Sequence, residues 1–127
     1  MNILDENVLK DQRELLTIWH IPVRQIGFDI SRKGIKDQEI IPLLIQQHQA
    51  TFFTLDFDFY KRTLCHLRYS LVYMDIDEDE TAHYIRLLLR HKEFNTQAKR
   101  MGKVIRLSSF GIWLWQIHAE KEISVPW

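Results

Sequence analysis

Thr51-Phe52-Phe53-Thr54-Leu55-Asp56-Phe57-Asp58-Phe59 is the stretch on which the fold turns. Residues 51–55 combine aromatic and β-branched side chains, the composition of a central strand. The run then stops abruptly in Asp56, Phe57 and Asp58. The same arrangement occurs twice more, where Asn2-Ile3-Leu4 runs into Asp5-Glu6-Asn7 and Ser70–Met74 runs into Asp75-Ile76-Asp77.

Helical patterns separate these strands. Val8, Leu15, Leu16 and Trp19 share one stripe, which predicts a helix over 8–20 that Pro22 prevents from continuing far. Val23–Ile26 reads as a strand and Gly27–Gly34 as a loop. Asp37 opens the next helix, with Ile40, Ile41, Leu44 and Ile45 at near-helical spacing and Pro42 expected within or near the first turn. Ala82, Ile85, Leu88 and Leu89 define another amphipathic helix, and Val104–Leu107 followed by Ile112–Ile117 predicts a hairpin or strand pair. Alternating elements imply an α/β fold with a mostly parallel central sheet flanked by helices, read as one domain over 1–127.

With 127 residues and a 46% hydrophobic fraction, the chain can build one real core. Neither a membrane span nor a signal peptide is legible, and the single cysteine, Cys65, offers no disulfide or zinc framework, so a soluble cytoplasmic protein is expected. Formal net charge is +0. Attraction to a polyanion must therefore come from a local basic face, and the candidates are Arg32, Lys33 and Lys36, then Lys61, Arg62 and Arg68, then Lys99, Arg100 and Lys103.

In a parallel sheet with right-handed connections, ligands collect beyond the carboxyl ends of the strands. Asp5, Asp56 and Asp58 would meet there, with Asp37 presented from its helix. Clustered carboxylates repel unless a hard cation neutralises them, and an oxygen-only ligand set favours Mg²⁺ or Mn²⁺. The alternative is local. Aspartate is common where strands stop, Asp37 could cap its helix, and for Asp75 and Asp77 support of the following helix N-terminus is the preferred reading. Glu6 and Glu39 could ligate, or hydrogen-bond and orient a ligand. Asn7 could do the latter, or cap the first helix. Successive side chains of an extended segment diverge, so Asp5 and Glu6 should not both point inward.

Leu4-Asp5-Glu6-Asn7, the helix opening Asp37-Gln38-Glu39-Ile40, and Thr54-Leu55-Asp56-Phe57-Asp58-Phe59 together resemble a short branch of the PIN-like domain family over about residues 2–75. The resemblance implies a three-layer fold and a metal-dependent endoribonuclease. It also implies a VapC-type toxin held inactive by a small cognate antitoxin, with a possible homodimer. On that reading Asp5, Asp56 and Asp58 hold Mg²⁺ or Mn²⁺, Asp37 is a ligand or orients water, and Lys33, Lys36 or Arg62 positions RNA phosphates. Two other readings remain open: a PIN-like binding or scaffold protein without turnover, and a phosphorelay receiver built on Asp5, Glu6, Asp56 and Lys103. The receiver reading is weakened because Lys103 precedes its strand and Asp75 stands where a hydroxyl residue is expected.

Overall fold

In the computed structural model, which describes residues 1–127, one sheet runs from the first strand to the last. The elements are β1 (Asn2–Leu4), α1 (Lys10–Ile18), β2 (Arg24–Gln25), α2 (Asp37–Gln46), β3 (Ala50–Thr54), β4 (Tyr69–Met74), α3 (Thr81–Arg90), α4 (Gln97–Arg100), β5 (Lys103–Ser108), β6 (Gly111–Gln116) and β7 (Ile123–Val125). Their order across the sheet is β2-β1-β3-β4-β5-β6-β7. The first five are parallel to one another, and β6 and β7 run antiparallel to their neighbours.

Alternation along the strands divides the core into two layers. Leu4, Phe53, Val72 and Ile105 face α1 and α3, while Ile3, Phe52, Leu71 and Val104 face α2. Every residue of β3 is buried, as expected of a central strand with helices on both sides. The result is a three-layer α/β arrangement with the expected hairpin at its C-terminal side.

The structure departs from the sequence expectations in four places. The first helix starts at Lys10, so Val8 packs into the core from the preceding turn and Gln12 takes a buried place on the inward face. Pro42 lies in the interior of α2, beyond its first turn. The helix continues through it because Pro42 and Gln38, whose carbonyl would have bonded the missing N–H, are both exposed to water. The short helix α4 and the edge strand β7 have no counterpart among the expected elements.

The fourth departure concerns handedness. α1 connects β1 to β2 and α3–α4 connects β4 to β5, steps in opposite directions across the sheet, yet both helices pack on the same face. Gln12 Oε1 accepts the Ala82 N–H at 2.9 Å and ties the two together. Crossovers that step oppositely on one face have opposite hands. Because α2 steps in the same direction as α3 but on the other face, α1 and α2 agree and β4–α3–α4–β5 has the opposite hand to both, a departure from the uniform hand that about 98% of such units share.

Candidate metal centre

The connection leaving β1 steps one way across the sheet and the connection leaving β3 steps the other, so the carboxyl ends of these neighbouring strands flank a topological switch point. Open α/β sheets place their ligand crevice there. Asp5 follows β1 directly and Asp56 lies two residues beyond β3.

Thr54, the last residue of β3, joins the two sides. Fully buried, its hydroxyl donates to Asp5 Oδ2 at 2.7 Å and accepts the Asp56 N–H at 3.0 Å. Asp5 Oδ1 accepts the Glu6 N–H at 2.8 Å. Burial raises the Asp5 pKa above its ordinary value; the bonds from Thr54 and Glu6 oppose the shift, and the nearby charges of Asp37 and Asp56 reinforce it. Asp56 Oδ1 accepts the Asp58 N–H at 2.9 Å, folding residues 57–59 into a single 3-10 turn that brings Asp58 back toward Asp56. Asp56 therefore does cap a local turn, in addition to standing at the strand end.

Asp37, Asp56 and Asp58 each offer a carboxylate oxygen within 4.8 Å of the others. Asp37 is the first residue of α2, directly after the N-cap Lys36, and its carboxylate reaches those of Asp56 and Asp58. Three carboxylates at this separation could hold a divalent cation, and the donor set is entirely oxygen. Asp5 stands beside this group, outside the mutually close trio. An adjoining cleft of about 290 Å³ is lined by Asp37, Gln38, Ile41, Asp58, Phe59, Lys61 and Leu64.

The other anticipated residues are placed as follows. Glu6 diverges from Asp5, as expected, and its Oε1 takes the Gly34 N–H at 2.8 Å. Glu39 is committed elsewhere, in a salt bridge to Arg32 at 2.9 Å. Asn7 is exposed and its side chain neither orients a carboxylate nor caps α1, whose N-cap is Leu9. Asp75 pairs with Arg106 at 2.7 Å, and Asp77 stands at the N-cap of the 3-10 turn that leads into α3, without a side-chain cap bond. Asp77, Asp79 and Glu80 form a second, fully exposed acidic group. Lys33 and Lys36 are exposed near the acidic rim, whereas the Arg62 guanidinium lies 5.8 Å from the Trp115 ring. Lys103 opens β5 at the opposite edge of the sheet from Asp56, which removes it from the role a receiver lysine would play.

Sequence reasoning missed Gln25, which is 1% exposed. Its amide Nε2 faces the carbonyls of Asp5, Glu6 and Val8 at 3.1, 3.2 and 2.8 Å, and its Oε1 accepts Arg13 Nη1 at 3.0 Å. Gln25 thus fastens the loop that carries Asp5. A signal was present, since Val23 and Gln25 occupy alternate positions of one extended segment and Val23 packs on the core. Comparison of the chain with protein-family models, curated proteins and solved structures yields no significant match.

Proposed function

We propose that the protein is a metal-dependent endoribonuclease of PIN-like fold, the toxin of a toxin–antitoxin pair. One observation carries the metal-dependent part of this reading: the carboxylates of Asp37, Asp56 and Asp58 converge within 4.8 Å at the β1/β3 switch point. A bound cation would relieve the mutual repulsion of three carboxylates brought this close. RNA as substrate and an antitoxin as partner rest on the resemblance of the Leu4–Asn7 and Thr54–Phe59 motifs.

Asp37, Asp56 and Asp58 would hold Mg²⁺ or Mn²⁺, with Asp5 alongside. When bound, the ion supplies positive charge that acidifies water and stabilises charge developing on phosphate oxygens. Thr54 holds Asp5 in one rotamer and couples it to the Asp56 backbone. The 57–59 turn fixes the spacing of Asp56 and Asp58. Gln25 keeps the Asp5 loop seated on β2. The cations Lys33 and Lys36 attract the phosphate chain to a rim that would otherwise repel it.

The test is Asp56→Asn. Asparagine can still accept the Asp58 N–H, so the turn survives and only the charge is lost. Mn²⁺ binding, read by electron paramagnetic resonance, and Mn²⁺-dependent cleavage of labelled RNA should both be lost. The reading fails if wild-type protein binds no Mn²⁺, or if the variant cuts as well as wild type. Growth inhibition on expression, relieved by the product of a neighbouring gene, tests the toxin assignment separately.

One observation favours the second reading, a binding protein without turnover: both Asp5 oxygens already accept hydrogen bonds within the protein. Protein that binds Mn²⁺ and RNA but leaves the RNA intact would select it.

A further inference from the structure

Arg13 and Lys33, which come from different elements, converge on the exposed ring of Phe28. The Arg13 guanidinium lies 4.6 Å from the ring centroid and the Lys33 ammonium 4.9 Å from it. The two charges are therefore separated by no more than about 10 Å, the Debye length at 0.1 M salt, and repel each other. Neither has a carboxylate partner, because the salt bridges of the protein are Lys10–Glu14, Arg32–Glu39 and Arg106–Asp75. Nearby acids have other partners: Glu14 pairs with Lys10, Asp29 Oδ2 takes the Gln25 N–H and Glu6 Oε1 takes the Gly34 N–H.

Arg13 is also held in place. Its Nη1 donates to Oε1 of the buried Gln25, whose Nε2 bonds the Asp5, Glu6 and Val8 carbonyls. One buried amide therefore fixes both the acidic loop after β1 and the cation beyond β2. These strands are neighbours, so the cation pair lies beside the carboxyl end of β1, which carries Asp5, and β3, whose carboxyl end carries Asp56, is the next strand across.

We propose that Arg13 and Lys33, gathered over Phe28, bind a backbone phosphodiester of the nucleic-acid chain that crosses the acidic centre, at a position flanking the scissile one. The site rests on the nucleic-acid reading above but not on cleavage. The guanidinium and ammonium supply charge-assisted donors to the phosphate oxygens, and the phosphate relieves the repulsion between the two cations. Phe28 keeps them together when the site is empty. The Gln25 bond sets where the chain lies relative to Asp5.

The experiment measures binding of a fluorescent single-stranded RNA 12-mer to the full chain in EDTA, across a salt series, for wild type, Arg13→Gln, Lys33→Gln and Lys92→Gln. Lys92 lies beyond the far end of α3 and serves as the control. Each of the first two variants should weaken binding about ten-fold, equivalent to losing one charge-assisted contact. Each should also reduce the slope of log K against log[salt] by about 0.7, while Lys92→Gln changes neither. Unchanged affinity and slope in Arg13→Gln and Lys33→Gln overturn the proposal, as does a wild-type protein that fails to bind the RNA. Arg13-dependent binding of inorganic phosphate without binding of the RNA also overturns it, in favour of a small-anion site. RNA binding that depends on Arg13 and Lys33, in a protein that cuts nothing when Mn²⁺ is added, supports this site and defeats the catalytic reading alone.

Discussion

Replacing Gln25 should damage stability and metal binding together. The orientation of its amide is forced by its neighbours, since Nε2 faces three carbonyls and Oε1 faces a guanidinium. Gln25→Leu keeps most of the volume and removes every bond. An amide has two protons and its oxygen here accepts from Arg13, so about three net hydrogen bonds disappear at ~1 kcal/mol each. The expected loss is about 3 kcal/mol, which for a chain of this length lowers Tm by roughly 10 °C. Gln25→Glu should be worse at pH 7, because a carboxylate then faces three carbonyl oxygens, and should recover partly on acidification as it becomes a donor. Urea melts of the three proteins give the stability order, and Mn²⁺ titration gives the functional consequence, an affinity lowered about ten-fold as the Asp5 loop loosens. A Gln25→Leu loss below about 1 kcal/mol, the net worth of a single hydrogen bond, or a Gln25→Glu protein as stable as wild type, would refute the claim that this amide holds the loop.

Three further outcomes follow from the same structure. In metal-free protein Asp5→Asn should stabilise the fold at neutral pH: the folded-state pKa lies above the ordinary 3.8, so stability falls as pH rises through the folded value, and the advantage of the variant vanishes below 3.8, as melts across pH in EDTA would reveal. Mg²⁺ or Mn²⁺ should raise stability by about 2.7 kcal/mol at a hundred times its dissociation constant, and Asp58→Asn should abolish most of that gain in a thermal-shift series. Pro42→Ala restores an N–H in the interior of α2 and should stabilise by about 1–3 kcal/mol in urea, whereas an unchanged midpoint would mean the helix already bends around the proline at no cost.

The parts of the fold that were legible are those where composition and period agree. Phe52, Phe53, Leu71 and Val72 are wholly buried apolar pairs in short β-branched or aromatic runs, the pattern of strands covered on both faces. Asp5, Asp56 and Asp58 were legible because each interrupts such a run. The distances between them were not, since the approach of Asp37 depends on how α2 sits over the sheet and on a 3-10 turn that Asp56 itself closes. This is why Asp37, conditional from sequence, joins Asp56 and Asp58 while Asp5 stands beside them. Gln12 and Gln25 were hidden because glutamine is ordinarily a surface residue, and their partners lie 70 and 17–20 positions away in the chain. β7 was hidden by its shortness and half-exposed edge position.

The exceptional hand of β4–α3–α4–β5 bears on how the acidic edge is organised. With α3 on the α1 face, no helix covers the α2 face of β4 and β5 near the edge, and that space is occupied by the 57–65 segment and the aromatic side chains of Tyr60 and Tyr73. Arg106, on the same face of β5, reaches Asp75 at 2.7 Å and neutralises the acid that follows β4. Along the edge the charges therefore run from the Arg13 and Lys33 pair beyond β2, through the acids of β1, α2 and β3, to the Asp75–Arg106 pair at β4 and β5, beside which Asp77, Asp79 and Glu80 form a second exposed acidic group. A net charge of +0 conceals this segregation. It is the local sequence of signs that an extended polyanion would meet, positive first and then a negative pocket that only a cation can make hospitable. That requirement joins the two proposals: the cation pair accounts for attraction of the chain without metal, and the acidic trio accounts for why its closest approach should depend on one.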